Sequence, residues 1–507
     1  MNALHINGND LTLEAVGEVA SIEARRATLL SPDARAAVNQ ARAVVDEIVA
    51  SNTVAYAITT GVGKLSDVRI AGDQIRELQV NLVRSHAVGV GEPLSVRETR
   101  AMMLLRANSL AKGHSGVRPV VIDTLCEMLN RGVHPVIPSQ GSVGASGDLA
   151  PLAHLAQVAI GEGEAIYKGV KMPGGEAMRA AGIAPLQLEA KEGLALLNGT
   201  QGMLALLALG LREAEIAADT ADVATALSLD ALRGSPVAFD ARIGHVRPYA
   251  GHAKTANNLD RLNRGSEIRE SHRAAEKDPR VQDPYSLRCA PQVHGAVRDA
   301  LANIRATLTI ELNSATDNPL VFAESGDVVS GGNFHGQPLA MAADQLAVAL
   351  ATLGGISERR IEQMTNPQTS QLPAFLIREA GLNSGFMILQ VAAAALASEM
   401  KTQAAPHSVD SIPTSANQED YVSMGMSGAR RIAPMLANLR NILAIELLAA
   451  CQGIDLLAPL RTGTEAMKAY EKVRALSKTV DADRSLAPDI EAVARSVADA
   501  SFSDILR

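Results

Sequence analysis

Gly141-Ser-Val-Gly-Ala-Ser-Gly-Asp148 places a small, unhindered tripeptide, Ala145-Ser146-Gly147, in a glycine-rich stretch between Pro138 and Pro151. Gly147 has no Cβ, so its backbone nitrogen can approach the Ala145 carbonyl carbon more closely than any other residue allows. Attack there would close a five-membered ring. Loss of one water from the ring and a second from the Ser146 side chain would leave an exocyclic methylene conjugated to an imidazolone. Such a group is an electrophile, which none of the ordinary side chains supplies. Glycine, serine and aspartate are also common turn residues, so the triplet alone reads first as a surface turn. A phosphate cradle would need a Gly-Lys-Ser/Thr ending, or glycines at dinucleotide spacing after a strand. Here Asp148 and Leu149 follow Gly147, which puts negative charge where a phosphate needs positive.

The wider context favours chemistry. Ala145-Ser-Gly-Asp-Leu-Ala-Pro-Leu, followed by His154, resembles the signature of the ammonia-lyase and aminomutase family, whose members carry a self-made methylidene-imidazolone (MIO) group. The resemblance extends from about Tyr56 to about Asp455. It includes Tyr56-Ala-Ile-Thr-Thr-Gly-Val-Gly63, Leu196-Leu-Asn-Gly-Thr-Gln201, Gln282-Asp-Pro-Tyr-Ser-Leu-Arg288, Gly331-Gly-Asn-Phe-His335 and the stretch from Ser408 to Asp420.

Removing ammonia from an α-amino acid without a redox cofactor poses two problems: the amine leaves poorly and the β-hydrogen is weakly acidic. An electrophile that captures the amine addresses the first, and a positioned base the second. The resemblance implies that Ala145, Ser146 and Gly147 form the MIO group and that Tyr56 takes the β-proton. A phenol serves as that base only where positive charge or hydrogen bonds lower its pKa. Arg288, by the same resemblance, binds the substrate carboxylate, for which an arginine fork is well shaped. Gln282 and Tyr285 carry over with it. Asn198 and Tyr285 would hydrogen-bond around the prosthetic group and the amine, and Phe334 would pack against it.

Ser85-His86 and Glu419 match the histidine-specific members, in which an imidazole needs a partner for each ring nitrogen. The reaction implied is elimination of ammonia from L-histidine to give trans-urocanate. Related members acting on tyrosine or phenylalanine, or shifting the amine as 2,3-aminomutases, are the nearest alternatives. Ala57, Thr59 and Val62 depart from the histidine-type motif around Tyr56. Gln337 stands where an acid is common, and Tyr421 where a histidine is. The family also implies homotetramers that share active sites.

Helical periodicity dominates the elements that must hold these residues. Ser31-Pro32 sets a serine cap and a first-turn proline, after which Val38, Ala41, Val45 and Ile48 recur at helical steps. Long apolar runs follow at about 195–232, 291–316, 337–366, 383–402 and 428–460, several apolar on most sides. Strand signals are confined to short pieces near the N-terminus and around Leu320 to Val329. The expectation is an all-α protein with a long central helical bundle: a smaller N-terminal part, 1–205, with the Tyr56 and Ala145–Gly147 loops, and a long-helix part, 206–507, in one continuous lyase unit. The polar motifs fall where helical pattern breaks, at 52–67, 138–151, 282–290, 330–336 and 405–420. A catalytically silent helical scaffold would leave these breaks apolar or featureless instead of rich in Tyr, Asn, Arg and Glu. The fumarase–aspartase type of lyase lacks support, since no Gly-Ser-Ser-x-Met-Pro loop is present.

The net charge of −8 and the lack of a basic stripe argue against nucleic acid. The eleven histidines form no HExxH motif or cysteine–histidine cluster, so no metal is expected. Cys126, Cys289 and Cys451 make no CxxC pair, which fits a reducing, cytoplasmic setting. The N-terminus lacks a signal-peptide layout. The most apolar run, Leu194 to Leu211, is interrupted by Asn198-Gly-Thr-Gln201, which a membrane span tolerates poorly.

Overall fold

Ser31 caps the helix Pro32–Ala50: its hydroxyl accepts from the Ala34 N–H at 3.2 Å, and Pro32 takes the first position. Val38, Ala41 and Val45 on that helix are buried, as their spacing predicts. Ala41 and Val45 pack with Ile58, Ile75, Ala190 and Val321 in one apolar cluster, which fixes the base of the Tyr56 loop. The computed structural model describes all residues except 1–2, 23–25, 275–277, 279 and 507.

The chain is 61% helix and 8% strand, so the mainly α expectation holds. The five long apolar runs become the helices Gln201–Ala231, Ala290–Leu312, Gln337–Thr365, Met387–Gln403 and Ile432–Leu456. The first run is split. The helix Glu192–Leu197 stops at Asn198, whose ψ of 105° is extended, and the next helix starts at Gln201. Asn198 still donates its N–H to the Leu194 carbonyl at 2.9 Å and the Thr200 carbonyl accepts the Leu204 N–H at 3.0 Å, so the break between the two helices is short and falls within a buried setting. Two helical segments, Gln337–Thr365 and Gly425–Leu456, are long and apolar enough to cross a membrane, yet 61% and 67% of their most apolar windows are buried inside the protein. That apolarity serves a core.

The parallel pair Leu4–Ile6 with Thr28–Leu30 and the hairpin Leu320–Phe322 with Asp327–Val329 fall where strand signals stood. Two small sheets carried no such signal. Val90–Pro93 pairs with Pro138–Gln140, and Val133–Pro135, Glu164–Tyr167 and Val170–Pro173 form a three-stranded sheet. Val90–Pro93, Val133–Pro135 and Pro138–Gln140 carry proline or glycine, which are depleted in strands, so their sequences give no strand signal.

Two compact units are each built from three segments. The first comprises 1–209, 305–344 and 406–432. The second comprises 210–304, 345–405 and 433–507. Within the second, Arg360 and Glu446 are fully buried and bonded to each other, and Ser228 and Ser357 donate to the same carboxylate. A buried pair needs such extra hydrogen bonds to offset its desolvation.

Candidate active site

Asp148 organises the glycine-rich loop from below. Its fully buried carboxylate accepts the Met203 N–H at 2.8 Å and the Ser142 hydroxyl at 2.8 Å, while its own N–H donates to the Gly199 carbonyl at 2.7 Å. Burial pushes its pKa up to about 6 against those donors. Gly147 pairs with Gly199, and a Cβ built on it would lie 2.0 Å from the Gly199 carbonyl oxygen. Only glycine fits. Gly199 is constrained in turn, since its own Cβ would fall 2.2 Å from Arg106 Nη1. Ser146 sits at φ +52°, a left-handed conformation that costs a non-glycine residue about 1 kcal/mol or more.

Asn198 reaches this loop from the helix break. Its Nδ2 donates to the Ser146 carbonyl at 3.3 Å, and its backbone carbonyl accepts from Arg106 Nη1 at 2.8 Å. Arg106 is fully buried, also donates to Gln201 Oε1 at 2.7 Å, and is pushed down to about 10 by that burial. Asn198 Oδ1 is buried and has no partner among the described residues. An unmet acceptor of this kind beside Ser146 suits an incoming N–H.

A cavity of about 580 Å³ opens over the loop. Tyr56, His86, Ala145, Ser146, Asn198, Phe334 and Glu419 all line it. The Tyr56 hydroxyl accepts the Gly63 N–H at 3.1 Å. His86, at the end of the helix Ile75–His86, donates from Nδ1 to the Leu82 carbonyl at 2.8 Å, which leaves Nε2 for a partner in the cavity. Glu419 accepts from Thr414 Oγ1 at 2.7 Å and from Ser146 Oγ at 3.1 Å. His154, part of the loop signature, holds the Gly89 N–H at 3.0 Å and so ties the segment after His86 to the helix Leu149–Ala159.

Gln282, Tyr285 and Arg288 belong to the second unit and are not among the residues lining this cavity. Tyr285 is 70% exposed at the start of the short helix Tyr285–Arg288, and the Arg288 guanidinium stacks 4.4 Å from its ring centroid. Arg288 Nε donates to the Asp283 carbonyl at 2.9 Å.

Sequence reasoning passed over several lining residues. His335 donates from Nε2 to the Tyr421 carbonyl at 3.1 Å, and the two rings stack 6.3 Å apart. The Gly-Gly-Asn-Phe-His motif pointed to His335, and the departure at Tyr421 had a signal too. Lys64 and Gln418 had none, because nothing distinguishes them from solvated loop residues. Nor had Arg106, an arginine inside a buried helix. Thr59 does not line the cavity. Its hydroxyl donates to the Thr53 carbonyl at 2.8 Å and accepts the Ala55 N–H, so it shapes the Tyr56 loop from within. Gln337 donates to the Ser408 carbonyl at 3.2 Å.

The residues present fit an MIO group: a glycine-only contact at Gly147, a left-handed Ser146, and a buried unpaired oxygen on Asn198. Among the described residues no group of three or more His, Cys, Asp or Glu side chains could hold a metal ion.

Comparison with known proteins agrees with this geometry. Residues 11–475 match the aromatic amino acid lyase family. A histidine ammonia-lyase of Koribacter versatilis is 59% identical over 505 residues, covering 97% of each chain. One from Myxococcus xanthus is 53% identical, covering 97% of this chain and 96% of its own. Among solved structures, the histidine ammonia-lyase of Trypanosoma cruzi superposes with a TM-score of 0.92 at 43% identity, covering 100% of this chain and 95% of its own. A tyrosine aminomutase from Streptomyces globisporus superposes with a TM-score of 0.94 at 40% identity, covering 99% and 98%. Matched over most of its length, and folded around a loop that only glycine can close, the chain belongs to the aromatic amino acid lyase family.

Proposed function

We propose that this protein is a carbon–nitrogen lyase that eliminates ammonia from L-histidine to give trans-urocanate, with an MIO group made from Ala145, Ser146 and Gly147. The observation that carries the reading is the Gly147–Gly199 contact, too close for any side chain, beside a Ser146 held in left-handed backbone. The similarity to histidine ammonia-lyases supports the substrate.

When formed, the MIO group supplies an electrophile for the substrate amine. The chain's own residues do the rest. Tyr56 takes the β-proton at its phenol oxygen, which the Gly63 N–H holds in place. Asn198 offers its unpaired Oδ1 to the amine, and Tyr285 hydrogen-bonds there as charge develops. Arg288 holds the carboxylate with its two-pronged fork, assisted by Gln282. Phe334 packs against the ring of the prosthetic group. His86 and Glu419 each partner one imidazole nitrogen, so a benzene ring would leave both without that partner on the substrate. Because Gln282, Tyr285 and Arg288 are not among the cavity-lining residues, we read the working form as a homotetramer whose neighbouring copies complete each site. The setting is cytoplasmic, with no metal, nucleic acid or membrane involved.

Tyr421 favours a second reading. It lines the cavity near Glu419, where an aromatic side chain suits tyrosine or phenylalanine, or the aminomutase outcome. Separate incubations with histidine, tyrosine and phenylalanine, followed by the ultraviolet absorbance of each unsaturated acid, distinguish the two. Urocanate should form with the highest kcat/KM. Faster turnover of tyrosine or phenylalanine would replace the substrate, and no unsaturated acid from any of them would overturn the lyase reading.

A further inference from the structure

Arg100 is a buried cation to which no counter-charge is bonded among the described residues. It is only 8% exposed, in the buried part of the helix Val96–Ala111. Its Nε donates to the Val19 carbonyl at 2.9 Å and its Nη1 to the Leu129 carbonyl at 3.1 Å. Nη1 also donates to His134 Nε2 at 3.0 Å. His134 is pushed down to about 4 by burial and by Arg100 itself, so near neutral pH it is an uncharged acceptor. Among the described residues no carboxylate bonds to Arg100. Buried charges are ordinarily paired, because desolvating one alone is expensive.

Arg100 and His134 line a cavity of about 710 Å³, separate from the residues of the candidate active site. Val96, Leu129 and Ile166 give that cavity an apolar wall. Two further arginines there are already matched, Arg26 by Glu18 at 2.6 Å and Arg131 by Glu127 at 2.5 Å. Lys168 is not. It stands at the turn between the strands Glu164–Tyr167 and Val170–Pro173, its ammonium 5.2 Å from the Tyr167 ring centroid, with no carboxylate partner among the described residues. No described lining residue is acidic. Among the described residues the cavity therefore combines two unmatched positive charges with an apolar wall.

We infer that this cavity is a second ligand site, taking a small organic carboxylate whose charge meets Arg100 and Lys168 and whose apolar body lies along Val96, Leu129 and Ile166. It is independent of the deamination reading. Hexanoate is a suitable probe, titrated calorimetrically into the full chain, with inorganic phosphate in a parallel arm. Saturable hexanoate binding should weaken about tenfold or more in Lys168→Glu, where one charge next to the ligand is reversed. Arg100→Met should abolish it, and deamination by Lys168→Glu should be unchanged. Lys168 is exposed on a turn, so that variant keeps the test open should Arg100→Met fail to fold. Absence of hexanoate binding, or binding undiminished in Lys168→Glu, would overturn the site. Phosphate binding as tightly as hexanoate through the same two residues would overturn the organic-carboxylate assignment.

Discussion

The two ends of the active-site cavity are built from different materials. At the loop end, the backbone decides: Gly147 against Gly199, Ser146 at positive φ, and the buried Asp148 tying both segments together. At the ring end, side chains decide: His86 at a helix end, Phe334, His335 and Tyr421, and Glu419, which also accepts from Ser146 Oγ at 3.1 Å and so reaches the loop end. A backbone constraint is hard to vary without losing the site, whereas a side chain can be exchanged with its fold intact. The reaction type should thus be fixed at one end and substrate choice adjustable at the other.

Substitutions at the loop end should have the largest effects. Ser146→Ala removes the hydroxyl whose loss the MIO group requires. Deamination should vanish while the circular dichroism of the helices is unchanged, because a small loop side chain contributes little core. Substantial residual turnover in this variant would collapse the distinction between the two ends. Tyr56→Phe comes next. It keeps the ring packing and deletes the proton acceptor, so kcat should fall on the order of 10²–10⁴-fold with KM little changed. Near-full turnover would remove Tyr56 from the role of base. Arg288→Lys, by contrast, should harm both parameters, as an ammonium cannot reproduce the two-pronged contact.

Asp148 gives the loop end a pH signature. Its folded pKa, about 6, lies above its ordinary value near 3.8. The folded state therefore binds more protons than the unfolded state between those values, and stability falls as pH rises through that window. The full effect is at most about 3 kcal/mol, from two pKa units or so at 1.36 kcal/mol each. Asp148→Asn should flatten that part of the stability profile in chemical denaturation at several pH values. An unchanged slope would show that the carboxylate is not held as its burial implies.

Ring-end substitutions should be milder and selective. Glu419→Gln should lower kcat/KM for histidine by roughly tenfold to a hundredfold, the scale of one unpaired buried polar group. Replacing Ser85-His86 with His-Leu should tilt the ratio towards tyrosine, with the reaction type preserved. Equal losses on all three amino acids would mean that the ring end is not a selectivity element.

The contrast also explains what the sequence disclosed. Ser31-Pro32 and the spacing of Val38, Ala41 and Val45 announced a helix because capping and periodicity are local. The split at Asn198 was visible as polar residues interrupting an apolar run. The small sheets were not, since strands such as Val133–Pro135 and Pro138–Gln140 contain proline, which is depleted in strands. Arg106 was hidden for another reason: its value comes from burial against Asn198 and Gln201, far along the chain, and an arginine's burial is not written in its neighbours. Arg288 was legible as chemistry, in a motif with Tyr285, yet the sequence gives no hint that the pair stands in a different unit from the cavity.

The central claim is that Ala145, Ser146 and Gly147 close into the electrophile, and intact-protein mass spectrometry of a fully active preparation tests it most directly. The chain should weigh two waters less than its sequence mass, with Ser146→Ala lacking that deficit. An active protein at its unmodified sequence mass would contradict the account.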